Sequence, residues 1–198
     1  MPINQPTPPP EIGEAFGAGI GDFMDSVPGQ EVSPDLRKKS RIGIQVFTLG
    51  LSDLETCRPL IESVAVAAGW QFLIGDPPGP AFSSEVYQPG SGMPRVISLS
   101  SDKTNQETRW ILGTLKHLPE VQNKDYQLQI LRVPGLGIEA FWLKSSTPDQ
   151  PDLVVPFHSL LAEVKTGIPD PMDDFLEKLR WLADRATPHA PDENVERE

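Results

Sequence analysis

The chain has 198 residues, with 28 acidic against 17 basic side chains and a net charge of −11. That length suffices for one ordinary core, and the charge repels phosphate backbones and anionic lipid, so the expected partner is a protein, with no nucleic acid and no membrane. One cysteine excludes an internal disulfide, three histidines leave no cluster at zinc spacing, and no apolar run approaches the ~20 residues that cross a bilayer; the composition reads as cytoplasmic, with no cofactor.

Residues 1–40 hold seven of the 22 prolines and few large apolar groups, so a disordered Pro/Gly-rich leader is expected there. Inside it, 11–27 (EIGEAFGAGIGDFMDSV) sets Ile12, Phe16, Ile20, Phe23 and Met24 at helical spacing. Gly13, Gly17 and Gly21 cost about 1 kcal/mol each against alanine, so the segment is expected to fold only in a partner's groove. Those five apolar side chains are the candidate partner-binding residues.

The folded part is expected over 41–186. Arg41 to Leu49 alternates as a strand does, with Ile42, Ile44, Val46 and Thr48 on one face. Ser52 and Glu55 make a capping-box spacing, and with Pro59 inside the pattern the regular helix is placed from about Thr56 to Gly69. Gln71 to Ile74 and Arg95 to Leu99 read as short strands, and the Pro/Gly-rich 76–92 between them as a surface loop. Thr104 and Glu107 cap a second helix whose stripe is Ile111, Leu112, Leu115 and Leu118, closed by Pro119.

Tyr126 to Val133 alternates again, and Ile138 to Lys144 with Leu153 to Phe157 reads as a hairpin with a long tip. A last helix starts after Asp170 and Pro171 and carries Phe175, Leu176, Leu179 and Leu182. The tail 187–198 is charged and is expected to be flexible. The sum is an α+β fold, a mostly antiparallel mixed sheet with about three helices on one face. A ferredoxin-like start extended by a hairpin and a C-terminal helix fits that order.

One string carries possible chemistry. Pro151 to Gly167 (PDLVVPFHSLLAEVKTG) contains Pro-Asp, then Glu-x-Lys, and so resembles the active-site motif of the PD-(D/E)xK nucleases. The resemblance implies Asp152 and Glu163 as Mg²⁺ ligands and Lys165 beside the attacking water, on two adjacent strands, with Glu107 as an extra acid. Against it, Asp152 falls at the return arm of the hairpin, and from Gly135 to Arg185 nine acids outnumber five bases, which leaves no track for phosphates. Gly135, Gly137 and Ala140 fit a dinucleotide fingerprint in spacing only, because a strand and not a helix follows them. Cys57 reads as a small core residue. The four tryptophans read as core unless Trp110 or Trp181 is exposed, which would mark a partner surface. The preferred reading is a non-catalytic interaction module, an adaptor, assembly subunit or secretion-type chaperone. The Mg²⁺-dependent phosphodiesterase is the alternative.

Overall fold

The computed structural model describes residues 3–26, 41–56, 61, 64–75, 82–100 and 103–186. In chain order the elements are β1 (Ile3–Asn4), α1 (Pro10–Ser26), β2 (Arg41–Thr48), α2 (Leu51–Thr56), β3 (Val66–Ile74), β4 (Phe82–Tyr87), β5 (Arg95–Ser100), α3 (Lys103–Leu115), β6 (Tyr126–Val133), β7 (Ile138–Ser145), β8 (Leu153–Ser159), β9 (Asp170–Pro171) and α4 (Met172–Ala186). Cys57, 27–40 and the tail 187–198 lie outside the described residues, as do the side chains of Phe23 and Met24.

The class is α+β. The described strands form one mixed sheet ordered β5-β4-β3-β2-β6-β7-β8-β9, with β1 beside the start of β6. Among the described pairs only β1–β6 and β2–β6 are parallel. The opening strands run as a meander: β2 and β3 are direct antiparallel neighbours, where a ferredoxin-like start would put a third strand between them.

Side-chain alternation sorts the helices onto two faces. Ile44 and Val46 of β2, Tyr126, Leu128 and Ile130 of β6, and Phe141 of β7 point one way and are covered by Ile111 and Leu115 of α3. Phe47, Leu131, Val133 and Trp142 point the other way, under Leu54 of α2 and Phe175, Leu176 and Leu179 of α4. Trp70, Phe72, Ile74 and Val86 share this second face, since Phe72 is in register with Gly43 and Phe47 with Leu131, and α1 covers them. The expected one-sided packing is therefore not found. Strands β2, β6, β7 and β8 are apolar on both faces, and a sheet of that kind needs helices on both.

Within the leader expected to be disordered over 1–40, the described residues 3–26 include β1 and α1, while 27–40 lies outside the described residues. Ile12, Phe16 and Ile20 are buried to within 3% against the sheet. Burying two isoleucines and a phenylalanine is worth roughly 5–9 kcal/mol, against roughly 4 for the four glycines at positions 13, 17, 19 and 21, so docking outweighs a poor propensity by a narrow margin. The same three side chains face the molecule's own strands and not a free surface.

Two further expectations are redrawn. Of the helix placed from Thr56 to Gly69, Val66 to Gly69 belong instead to β3 and the described helix α2 ends at Thr56; 57–60 and 62–63 lie outside the described residues. Gly69 does have positive φ, +151°, but in a bulge: register with β2 slips by one residue there, and a Cβ on Gly69 would stand 2.2 Å from the Val86 carbonyl oxygen. Within the expected loop 76–92, Phe82–Tyr87 is a strand paired on both sides; 76–81 lies outside the described residues. The hairpin of β7 with β8 and the helices α3 and α4 fall where the sequence places them. Gly137, at φ 62°, closes the tight turn that leads into β7.

Candidate functional site

Asp152 sits just ahead of β8 and is spoken for. Its Oδ2 accepts the indole N–H of Trp142 at 2.7 Å, and its Oδ1 accepts the backbone N–H of Ser145 at 2.7 Å. Together these bonds close the hairpin tip 146–151 and anchor a tryptophan that is 1% exposed. Beyond β8 the chain leaves the sheet, and Glu163 and Lys165 are exposed on a turn, not on a strand beside β8. It rejoins β8 where the Gly167 N–H bonds the Pro156 carbonyl, which is about 13 Å along the strand from Asp152. The paired-strand geometry that the nuclease motif requires is not formed. Glu107 is exposed on α3, a different element again. Among the described residues no group of three or more His, Cys, Asp or Glu is placed to hold a metal ion.

A polar row crosses the part of the α3 face that α3 leaves open. Gln71 is in register with Glu85, Arg132 with Thr48 and Glu139, and Glu139 with His158, so these side chains share one face along β4, β3, β2, β6, β7 and β8. Arg132 lies at the centre. Its Nη1 donates to Glu85 Oε1 at 2.7 Å and its Nη2 to Gln71 Oε1 at 3.5 Å. Its Nε lies 3.2 Å from Glu139 Oε1, close enough for attraction but not aligned as a hydrogen bond. One guanidinium between two carboxylates leaves a local charge of −1. The row ties β4 to β7 across the sheet and is not arranged to receive an anion.

The outer surfaces of the helices are less self-contained. α3 is fixed at its start by Asn105 Nδ2 donating to the Ser100 carbonyl at 3.1 Å, and further along by Arg109 Nη2 donating to the Gly75 carbonyl at 2.6 Å. With Ile111 and Leu115 turned inward, Trp110 is turned out and is 69% exposed. Gln106 and Glu107 lie a turn before it and Gly113 a turn after, and nothing stands within 4 Å of where a Gly113 Cβ would be. On α4, Trp181 is 49% exposed, with the Arg185 guanidinium 4.4 Å from its ring centroid. Arg180 beside it is turned to the Leu54 carbonyl at 2.8 Å.

Both outward tryptophans are legible as departures from the helical stripes. Trp110 falls off the Ile111, Leu115, Leu118 line, and Trp181 lies opposite Phe175, Leu179 and Leu182. The remaining edge of interest is β5, which among the described strands pairs with β4 alone. It carries an extra residue, Ile97, between the positions paired with Glu85 and Val86, and such a bulge disfavours pairing with another strand. No described helix is long and apolar enough to cross a membrane. Comparison with protein-family models, with curated proteins and with solved structures finds no match.

Proposed function

We propose that the chain is a non-catalytic protein-interaction module of the adaptor, assembly-subunit or secretion-chaperone kind, working in a reducing cytoplasm without a cofactor. It docks a protein partner on the outward face of α3. The observation that carries this reading is Trp110. An indole 69% exposed leaves in water most of the roughly 150–250 Å² that a buried aromatic removes from it, and tryptophan is among the residues that dominate binding energy at interfaces. A helix fixed at both its start and its middle presents that ring in a set direction, which lowers the entropic cost of docking. The acidic balance, 28 acids to 17 bases, favours a basic or neutral protein partner over a polyanion.

The test is quantitative affinity capture with the full chain against a Trp110→Ala chain of equal unfolding midpoint. Proteins enriched by the first and lost from the second support the reading. Identical recoveries from the two would sink it.

A further inference from the structure

α1 covers one end of the sheet with few side chains of its own. Ile12, Phe16 and Ile20, at i, i+4 and i+8, meet Trp70, Phe72, Ile74 and Val86 in a cluster separate from those under α2, α3 and α4. Phe16 stacks on Phe72 with centroids 4.1 Å apart, and the Arg41 guanidinium lies 5.2 Å from the Phe16 ring. Gly19 lies tight against Val96 of β5, where a Cβ would come within 2.4 Å of a methyl carbon. Gly13 and Gly17 are different: nothing lies within 4 Å of where their Cβ atoms would stand. Packing does not require these two glycines, and they weaken the helix they sit in.

The floor beneath α1 has a defect of its own. Ser84 of β4 is fully buried, in register with Phe72 and Leu99, and its Oγ has no hydrogen-bond partner. A buried unpaired hydroxyl is a standing cost, and the Ile, Phe, Ala and Gly residues that α1 offers have no side-chain group to relieve it. The resident helix is thus weak in itself, and it covers a floor with one unpaired hydroxyl, although the contacts it makes are close.

We propose that the face of β3, β4 and β5 under α1 is a groove for an amphipathic helix of a protein partner, with apolar side chains at i, i+4 and i+8, and that α1 occupies it as an intramolecular competitor. The spacing comes from α1 itself, which shows what the floor accepts. Displacing α1 opens Trp70, Phe72 and Val86 and leaves the clusters under α2, α3 and α4 in place. The proposal rests on the reading of the chain as an interaction module but uses the opposite face of the sheet from Trp110.

The probe is a fluorescent peptide of residues 8–26 carrying Gly13→Ala and Gly17→Ala, titrated by anisotropy into the full chain. The wild-type chain should bind it. A chain with the same two alanines in its own α1 should bind about 4- to 25-fold more weakly, since each exchange favours the docked helix by about two- to fivefold. A Phe16→Ala chain, with its resident helix loosened, should bind more tightly. The proposal is overturned if no chain binds the peptide, or if wild-type and double-alanine chains bind it equally; this comparison decides even where Phe16→Ala fails to fold. It is also overturned if sedimentation shows α1 exchanged between two copies, because the occupant is then the chain itself. Peptide binding that fails while Trp110→Ala still abolishes capture removes the groove alone. Peptide binding that succeeds while Trp110→Ala changes nothing removes the α3 docking face alone.

Discussion

Asp152→Ala separates the two roles open to this carboxylate. In the structure it accepts two hydrogen bonds of 2.7 Å, from the Trp142 indole and the Ser145 amide. Bonds to a charged acceptor are worth about 1.5–3 kcal/mol each, and partial exposure of Asp152 scales the pair down to about 2–4 kcal/mol. Loss of the carboxylate also strands the indole N–H of a tryptophan that is 1% exposed. The melting temperature should fall by about 5–15 °C, at about 2–4 °C per kcal/mol for a chain of this size. Asp152→Asn should recover little, because its amide sets an N–H against a donor.

Urea unfolding followed by tryptophan fluorescence measures the loss directly. A metal-binding role makes the opposite prediction, since removing one acid from a ligand cluster relieves repulsion and leaves stability equal or higher. A loss below about 1 kcal/mol would refute the anchoring role. So would a saturable heat of Mg²⁺ binding that is present in the wild type and absent from both Asp152→Ala and Glu163→Ala.

Three shorter expectations follow from other parts of the sheet. Gly69→Ala drives a methyl carbon to 2.2 Å from the Val86 carbonyl at a φ of +151°, and should cost at least about 3 kcal/mol by urea midpoint; a neutral result would disprove the bulge. Arg132→Met leaves Glu85 and Glu139 without their shared cation and should destabilise by about 1–3 kcal/mol, read as a shift in urea midpoint; an unchanged midpoint would show that the row contributes nothing. Burial raises the Tyr126 phenol above its ordinary value of 10.0, with the Asp152 charge adding and a hydrogen bond from Gln150 opposing. The fold favours the neutral phenol, so its stabilisation is whole below pH 10.0 and is lost as the pH climbs towards the raised value. Chemical unfolding followed from about pH 8 to 11 should show that decline, and Tyr126→Phe should flatten it.

The elements legible in the sequence are those whose burial matches one clean period. β2, β6, β7, α3 and α4 each declare themselves by alternation or by a helical stripe, and the β7–β8 hairpin follows from its turn-rich tip. The misplaced elements share another cause. β4 (FSSEVY) has serines at two buried positions, Ser83 and Ser84, so its inward face does not look apolar. The stretch before Gln71 is rich in alanine and valine and reads as helix, yet pairing with Phe47 and Thr48 holds it as strand. α1 was hidden by glycines whose cost the floor of β3, β4 and β5 offsets, and that floor is more than 40 residues away in the chain. The Glu85–Arg132 contact at 2.7 Å joins residues 47 apart, and no local pattern announces it.

The two exposed tryptophans are not equivalent, and the difference selects a face. Trp181 already has a cation on its ring, the Arg185 guanidinium at 4.4 Å, which satisfies part of the indole's π-face and would have to be carried into or displaced from an interface. Trp110 is more exposed, 69% against 49%, and its neighbour one turn on is Gly113, which adds no side chain to block a close approach. A partner helix or strand therefore reaches the Trp110 ring at lower steric cost. α3 also lies against the strands whose two-sided apolar core is the most completely buried part of the sheet, so force applied at Trp110 is received by a rigid support. Rigidity behind an exposed aromatic is what converts contact area into affinity. On these grounds Trp110→Ala should weaken partner binding more than Trp181→Ala. The reverse order, measured with a captured partner, would move the docking face from α3 to α4.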